Sequence, residues 1–239
     1  MTAMTEPTAA PLIKSRQRVI DHAEVFTPPH IVEAMIKLVE PEVDRIDSRV
    51  LEPACGDGNF LVPILKRKLE TAKARYAKSE FELRHHSLLA LMSVYGVELL
   101  EDNAADCRQN LLDVFAGLLG LGIDADDESA IWLDAARAVL DANIVRGDAL
   151  TYKGVPSGQP IVFAEWAYLG RGDFQRRDFR YDRLTTAGSF KVSKEPGMDS
   201  LFADMGKHEL FTPIKTQQRL TVADIVSNWK AEHEQGASG

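Results

Sequence analysis

The stretch Leu51 to Leu61, LEPACGDGNFL, holds residue types that could receive a nucleotide cofactor. Arg49, Val50 and Leu51 can end a buried strand. Pro53 and Gly56 keep Glu52 to Asp57 from being helical, and Asn59 to Leu69 is apolar at helical spacing. Gly56 and Gly58 permit positive φ and let a ligand approach the backbone with no Cβ in the way. The first N–H groups of the following helix lack intrahelical partners and would face that ligand. The dinucleotide fingerprint G-x-G-x-x-G is not matched: Leu61 fills the third glycine position and Glu52-Pro53 precedes the turn, which tilts the reading away from NAD. The alternative is a strand-to-helix turn that binds nothing.

Elements able to position this turn lie on both sides of it. Before it, Phe26-Thr27-Pro28 opens a helix with Ile31, Val32, Met35, Ile36 and Val39 on one face; Pro28 and Pro29 stand at its start, Thr27 is the expected N-cap, and Pro41 closes it. After it, a charged stretch to Arg84 leads to Leu88–Val97, whose end VYGVE reads as a second buried strand terminated by Glu98. The helix ELLEDNAADCRQNLLDVFAGLLG follows, broken at Gly117, Gly120 and Gly122 before the acidic loop Asp124 to Glu128, and another helix spans Ala130 to Leu140. NIVRGDAL is a short third strand ending at Gly147, and Gln159 to Phe163 is a fourth. Such alternation predicts an α/β protein with a Rossmann-like, doubly wound, mainly parallel sheet that binds ligands at the carboxyl ends of its strands.

Four of these features occur in the order used by the S-adenosylmethionine-dependent N6-adenine DNA methyltransferases of restriction-modification systems, and residues 19 to 169 resemble that family. The resemblance implies S-adenosyl-L-methionine as cofactor and DNA as partner. Phe26, Thr27 and Pro28 would close over the methionine end. Glu52, Ala54, Gly56, Asp57 and Gly58 would line the methionine and sulfonium part, Glu98 would accept hydrogen bonds from the ribose hydroxyls, and Asp148 with the Ala149 amide would hold the adenine. Without the resemblance, Phe26-Thr27-Pro28 is an ordinary capped helix, Glu98 a helix-start acid and Asp148 a turn residue. Glu98 lies forty residues after Gly58, which requires a long helix or an insertion around Thr71 to His86.

The family's D/N-P-P-Y/F motif is replaced by Glu165-Trp166-Ala167-Tyr168. In the family that motif follows the fourth strand, accepts the hydrogens of the target amine and stacks on the extruded base. Glu165 would then be the acceptor, with Tyr168 and Trp166 as stacking groups. Two functions follow as expectations: methyl transfer to an exocyclic amine of DNA, or a catalytically degenerate cofactor- or DNA-binding subunit of a restriction or phage-defence assembly. An RNA base or a protein amide is a further acceptor class.

The 239 residues give room for one large domain with an appendage, and 45% hydrophobic content suffices for a sizeable core. No apolar run approaches a membrane span and the N-terminus lacks a signal-peptide core, so no membrane partner and a cytoplasmic setting are expected. Cys55 and Cys107, the only cysteines, exclude a disulfide framework and are expected to be reduced. His85 and His86 fall in a polar linker, and His22, His30, His208 and His233 lack metal spacing, so no metal is assigned.

A net charge of −8 confines any nucleic-acid contact to local patches. One is Lys66, Arg67, Lys68, Lys73, Arg75 and Lys78. The other is Arg171, Arg176, Arg177, Arg180, Arg183, Lys191 and Lys194 against Asp173, Asp178 and Asp182, where Phe174, Phe179 and Tyr181 interleave aromatics with guanidiniums. A charged edge strand is the alternative for that stretch. Residues 1–18 read as a mobile tail. Residues 170–239, with a last helix over Leu220 to Trp229 and a disordered EHEQGASG end, are too few to supply both the remaining strands and a target-recognition domain. They would complete the sheet or contact DNA or a partner subunit that supplies target recognition.

Overall fold

The computed structural model describes residues 13–22, 24–121, 127–188 and 212–236. The acidic loop and the positions of Lys191 and Lys194 lie outside or largely outside them. The chain runs α1 (Arg16–His22), α2 (Pro29–Leu38), α3 (Glu40–Val43), β1 (Val50–Glu52), α4 (Leu61–Tyr76), α5 (Glu80–Met92), β2 (Val94–Glu98), α6 (Glu101–Leu119), α7 (Asp127–Asn143), β3 (Ile144–Asp148), β4 (Lys153–Gly154), β5 (Val162–Gly170), β6 (Asp173–Arg180), α8 (Tyr181–Gly188), β7 (Lys215–Leu220) and α9 (Val222–Gly236). The class is α/β, with mixed sheets.

One sheet has the order β1-β2-β3-β4. Its first three strands are parallel, and the two-residue β4 returns antiparallel to β3. β2 lies at the centre and is buried at every residue. β1 has a ladder on one side only, so Leu51 is 40% exposed rather than buried as its sequence suggested. The strand expected to be the parallel fourth, β5, instead begins a separate antiparallel sheet of order β5-β6-β7. β6 is therefore a central strand, not a charged edge.

The long interval between the glycine turn and Glu98, for which the sequence required a long helix or an insertion around Thr71 to His86, is filled by α4 and a second helix, α5, that includes the expected linker residues His85 and His86. Ser79 caps it by accepting from the Glu82 amide, and Glu80 and Glu82 sit in its first turn, where acids favour the helix dipole. His85 belongs to this helix and is buried against Phe81, Trp132, Tyr168 and Phe174. α6 runs through Gly117 and stops at Gly120, whose left-handed φ of 65° forms the cap. The N-cap of α2 is Pro28, not Thr27, and no side chain caps it; Pro29 occupies the first turn, where a missing N–H costs nothing. At the chain ends, helix begins at Arg16 and persists to Gly236, beyond the limits expected from composition.

A continuous core of leucines from α4, α5 and α6, alanines and Val139 from α7, and Val94 and Ile144 reaches on through Trp166 and Phe174 to Ile225 and Val226 of α9. Lys68, fully buried, donates to the carbonyls of Arg45, Ile46 and Ser48 and thereby satisfies the loop that delivers β1. It is not part of a basic surface patch. Burial depresses its pKa to about 8.

Candidate functional site

The carboxyl ends of β1, β2 and β3 open on a cleft of about 440 Å³, lined by Glu24, Val25, Phe26, Pro53, Ala54, Gly56, Glu98, Leu99, Leu100, Asn103, Gly147, Asp148, Ala149 and Leu150. Six of the sequence-derived cofactor residues meet there: Phe26, Ala54, Gly56, Glu98, Asp148 and Ala149. The other five do not line it. The Thr27 carbonyl accepts from Asn59 Nδ2, and Pro28 caps α2. Glu52 is half-buried at the end of β1, where its carboxylate accepts from the Ala54 amide at 3.3 Å and desolvation raises its pKa. Asp57 and Gly58 face a separate cleft bounded by α2, α4 and α6, which also holds Val32, Lys66 and Asn110.

The glycine turn is built as its sequence requires. Gly56 and Gly58 both have positive φ, 55° and 96°. A Cβ on Gly56 would lie 3.2 Å from the Phe26 ring, so the absent side chain is what lets Phe26 fold over the turn. Gly96 in β2 serves the same packing from below, since a Cβ there would meet the Cys55 sulfur at 2.7 Å. Cys55 and Cys107 are buried free thiols, and their mutual hydrogen bond together with burial pushes the Cys55 pKa well up.

The turn's own amides are spent internally. Cys55 N donates to Val97 O, Gly56 N to Glu98 Oε2 at 2.9 Å, and Gly58 N to Cys55 O. The other Glu98 oxygen accepts from Leu100 N at 2.9 Å, so this acid, 8% exposed, ties the glycine turn to the start of α6. Asp148 accepts from the Leu150 and Thr151 amides and the Thr151 hydroxyl, the arrangement of an Asx turn, and these bonds lower its pKa. Both Glu98 oxygens and Asp148 Oδ2 retain lone-pair capacity toward a ligand donor.

The cleft thus presents three carboxylates, Glu24, Glu98 and Asp148, and no lysine or arginine among its lining residues. That donor set suits a ligand carrying positive charge and hydroxyl or amino donors. It disfavours a pyrophosphate, which would meet like charge from Glu98 and Asp148 with no lysine or arginine in the lining, the guanidinium nearest the cleft, Arg18, being paired with Glu24. S-adenosylmethionine, with its sulfonium, ammonium and ribose hydroxyls, fits this chemistry. Glu24, Asn103, Leu99, Leu100, Gly147 and Leu150 were missed by sequence reasoning. Glu24 stands two residues before Phe26, but nothing in its spacing marks it.

β5 treats its tetrapeptide differently. Glu165 to Tyr168 lie inside the strand and pair with Arg177, Arg176, Gln175 and Phe174 of β6, so no turn follows the acid. Alternation along the strand sends Glu165 to one face and Trp166 and Tyr168 to the other, against the main core. Trp166 is 6% exposed, donates from Nε1 to Asn143 Oδ1 at 3.1 Å and carries Arg176 over its ring. Tyr168 packs on His85, His86 and Phe174, and its hydroxyl accepts from Gly172 N. Glu165 is bridged between Arg49, at 2.5 Å, and Arg177. None of the three lines the carboxylate cleft. Of the remaining β6 guanidiniums, Arg176 pairs with Asp178 and Arg180 with Asp182.

Residues 15–113 match the family model of the N-6 DNA methylases, a span that includes Phe26-Thr27-Pro28, the glycine turn and Glu98. Over 120 residues, 48% of its length, the chain is also 28% identical to a tRNA/tmRNA (uracil-C(5))-methyltransferase of Ectopseudomonas mendocina (strain ymp). It spans about a third of the length of that curated relative, 33%. No solved structure matches the chain.

Proposed function

We propose that this chain is an S-adenosylmethionine-binding methyltransferase unit of the N6-adenine DNA methylase kind. The observation that carries the reading is the cation-compatible cleft at the tips of β1, β2 and β3, within or beside the segment that matches the methylase family. Phe26, Ala54 and Gly56 would hold the methionine end, Glu98 the ribose, and Asp148 with Ala149 the adenine. When bound, the cofactor supplies an electrophilic methyl on a sulfonium. The chain orients it by carboxylate acceptors and excludes water with Phe26 and Leu100. The two sheets read as a doubly wound, Rossmann-like arrangement opened between β1 and β5, because Arg49 pairs with Glu165 and Tyr95 donates to the Ala164 carbonyl across that gap. Residues 19–169 would form the cofactor domain and 170–239 a region contacting DNA or a partner chain, in a cytoplasmic setting.

The acceptor is an exocyclic amine of DNA on this reading. A second reading, a cofactor-binding subunit of a restriction or phage-defence assembly without transfer of its own, is favoured by the continuity of β5 through Glu165 and the burial of Trp166. Titration calorimetry with S-adenosylmethionine comes first: absence of heat at saturating ligand would sink both readings. Given binding, a radiolabelled methyl group is offered to DNA, RNA and protein fractions. Label on adenine in DNA upholds the first reading, label on RNA or protein moves the acceptor class, and binding with no label on any fraction upholds the second.

A further inference from the structure

One wall of the carboxylate cleft, Glu24 to Phe26, is held at both ends of the segment 24–28. At the far end Asn59 Nδ2 donates to the Thr27 carbonyl at 2.6 Å, tying the wall to the glycine turn, and the Phe26 ring lies over Gly56 between the two anchors. At the near end Glu24, whose side chain is 8% exposed, is gripped by three donors: Arg18 Nε and Nη2, the latter at 2.8 Å, and Asn103 Nδ2 at 2.6 Å. Arg18 also reaches Asp102 at 2.6 Å, and Lys14 joins Asn103 Oδ1 at 2.7 Å and Asp106 at 2.6 Å. Asn103, 1% exposed in the first turn of α6, is therefore oriented at both ends of its amide. Hydrogen bonds from Arg18 and Asn103 hold the Glu24 carboxyl below the ordinary range, so it is ionised at neutral pH.

We propose that Arg18 and Asn103 are positioning residues for the cofactor cleft, acting through Glu24 to set Phe26 against Gly56. This rests on the reading of the cleft as the S-adenosylmethionine site. The arrangement is a fork-shaped guanidinium on a carboxylate with a buried amide as second donor, a geometry that fixes direction as well as charge. Removing the guanidinium leaves Glu24 half-paired and frees the near end of the wall, while the core, to which Arg18 contributes nothing, stays intact.

The test compares wild type with R18A, R18K and D102A by calorimetry with S-adenosylmethionine, by melting temperature, and by hydrogen exchange at residues 24–28. R18A should raise Kd about tenfold, chiefly through faster dissociation, with a melting temperature near wild type and faster exchange over 25–27. R18K, which keeps the charge but loses the fork, should fall between, and D102A should stay near wild type. An R18A protein that binds as tightly as wild type with unchanged exchange over 25–27 overturns the proposal. If wild type itself does not bind the cofactor, the functional reading fails, and the exchange comparison still decides whether Arg18 positions the wall.

Discussion

The half of the molecule around β1, β2 and β3 and the half around β5 and β6 handle similar residues in opposite ways. In the first, acids and glycines stand at strand ends, where the ladder has stopped and side chains face a cleft: Gly56 follows β1, Glu98 ends β2 and Asp148 ends β3. In the second, an acid and two aromatics sit in mid-strand: Trp166 and Tyr168 pack in or against the core, and Glu165 pairs with Arg49 and Arg177 beside a separate cleft. Residue type alone does not make a site. A carboxylate at a strand tip keeps acceptor capacity for a ligand, whereas Glu165 is spent on Arg49 and Arg177. The family match stops at residue 113, before the second half begins.

The sharpest way to break this contrast is W166A. If Trp166 stacked on a substrate, its loss would abolish transfer and spare the fold; as a core residue it should cost about 3–5 kcal/mol, read as a fall in the urea midpoint, with cofactor affinity of the folded fraction retained. Next in size is E98A, which removes the acceptor joining Gly56 to Leu100. It should destabilise by about 1–2 kcal/mol and raise the S-adenosylmethionine Kd about tenfold or more, and unchanged affinity in calorimetry would remove Glu98 from the site.

G56A forces a Cβ into positive φ against Phe26 and should cost about 1 kcal/mol, with weaker cofactor binding and a normal circular-dichroism spectrum. Acidification should loosen the first half selectively. Arg18 holds the Glu24 and Asp102 carboxyls below their ordinary values, so their contribution is complete above the unfolded values and is lost as pH falls through the lowered folded ones. Hydrogen exchange over 24–28 should then rise before that over β5 and β6. The smallest effect is expected of E165Q, below about 1 kcal/mol because both arginines are substantially exposed, with cofactor affinity untouched.

Much of the first half was legible in the sequence. Glycine, proline and acid placement around Gly56 is local chemistry, and the strand ends at Glu98 and Asp148 follow from short apolar runs closed by polar residues. Helix α5 was missed because His85, His86 and Arg84 read as polar; burial of His85 among rings is a tertiary event. The fate of β5 was illegible for a related reason. IVFAEWAYLG suits a parallel strand as well as an antiparallel one, and only the partner, β6, decides. The spending of the Cys55 and Gly56 amides on Val97 and Glu98 likewise depends on contacts 42 residues apart.

Asn143 is one of the links between these halves, beside Arg49–Glu165 and Tyr95–Ala164. Its side-chain nitrogen donates to the carbonyls of Met92 and Val94, and its oxygen accepts from Trp166. A single amide of this kind works as a rivet: it fixes one point and imposes no register on the strands it joins. Joined by such side-chain links rather than by a shared ladder, the two sheets each keep a register of their own.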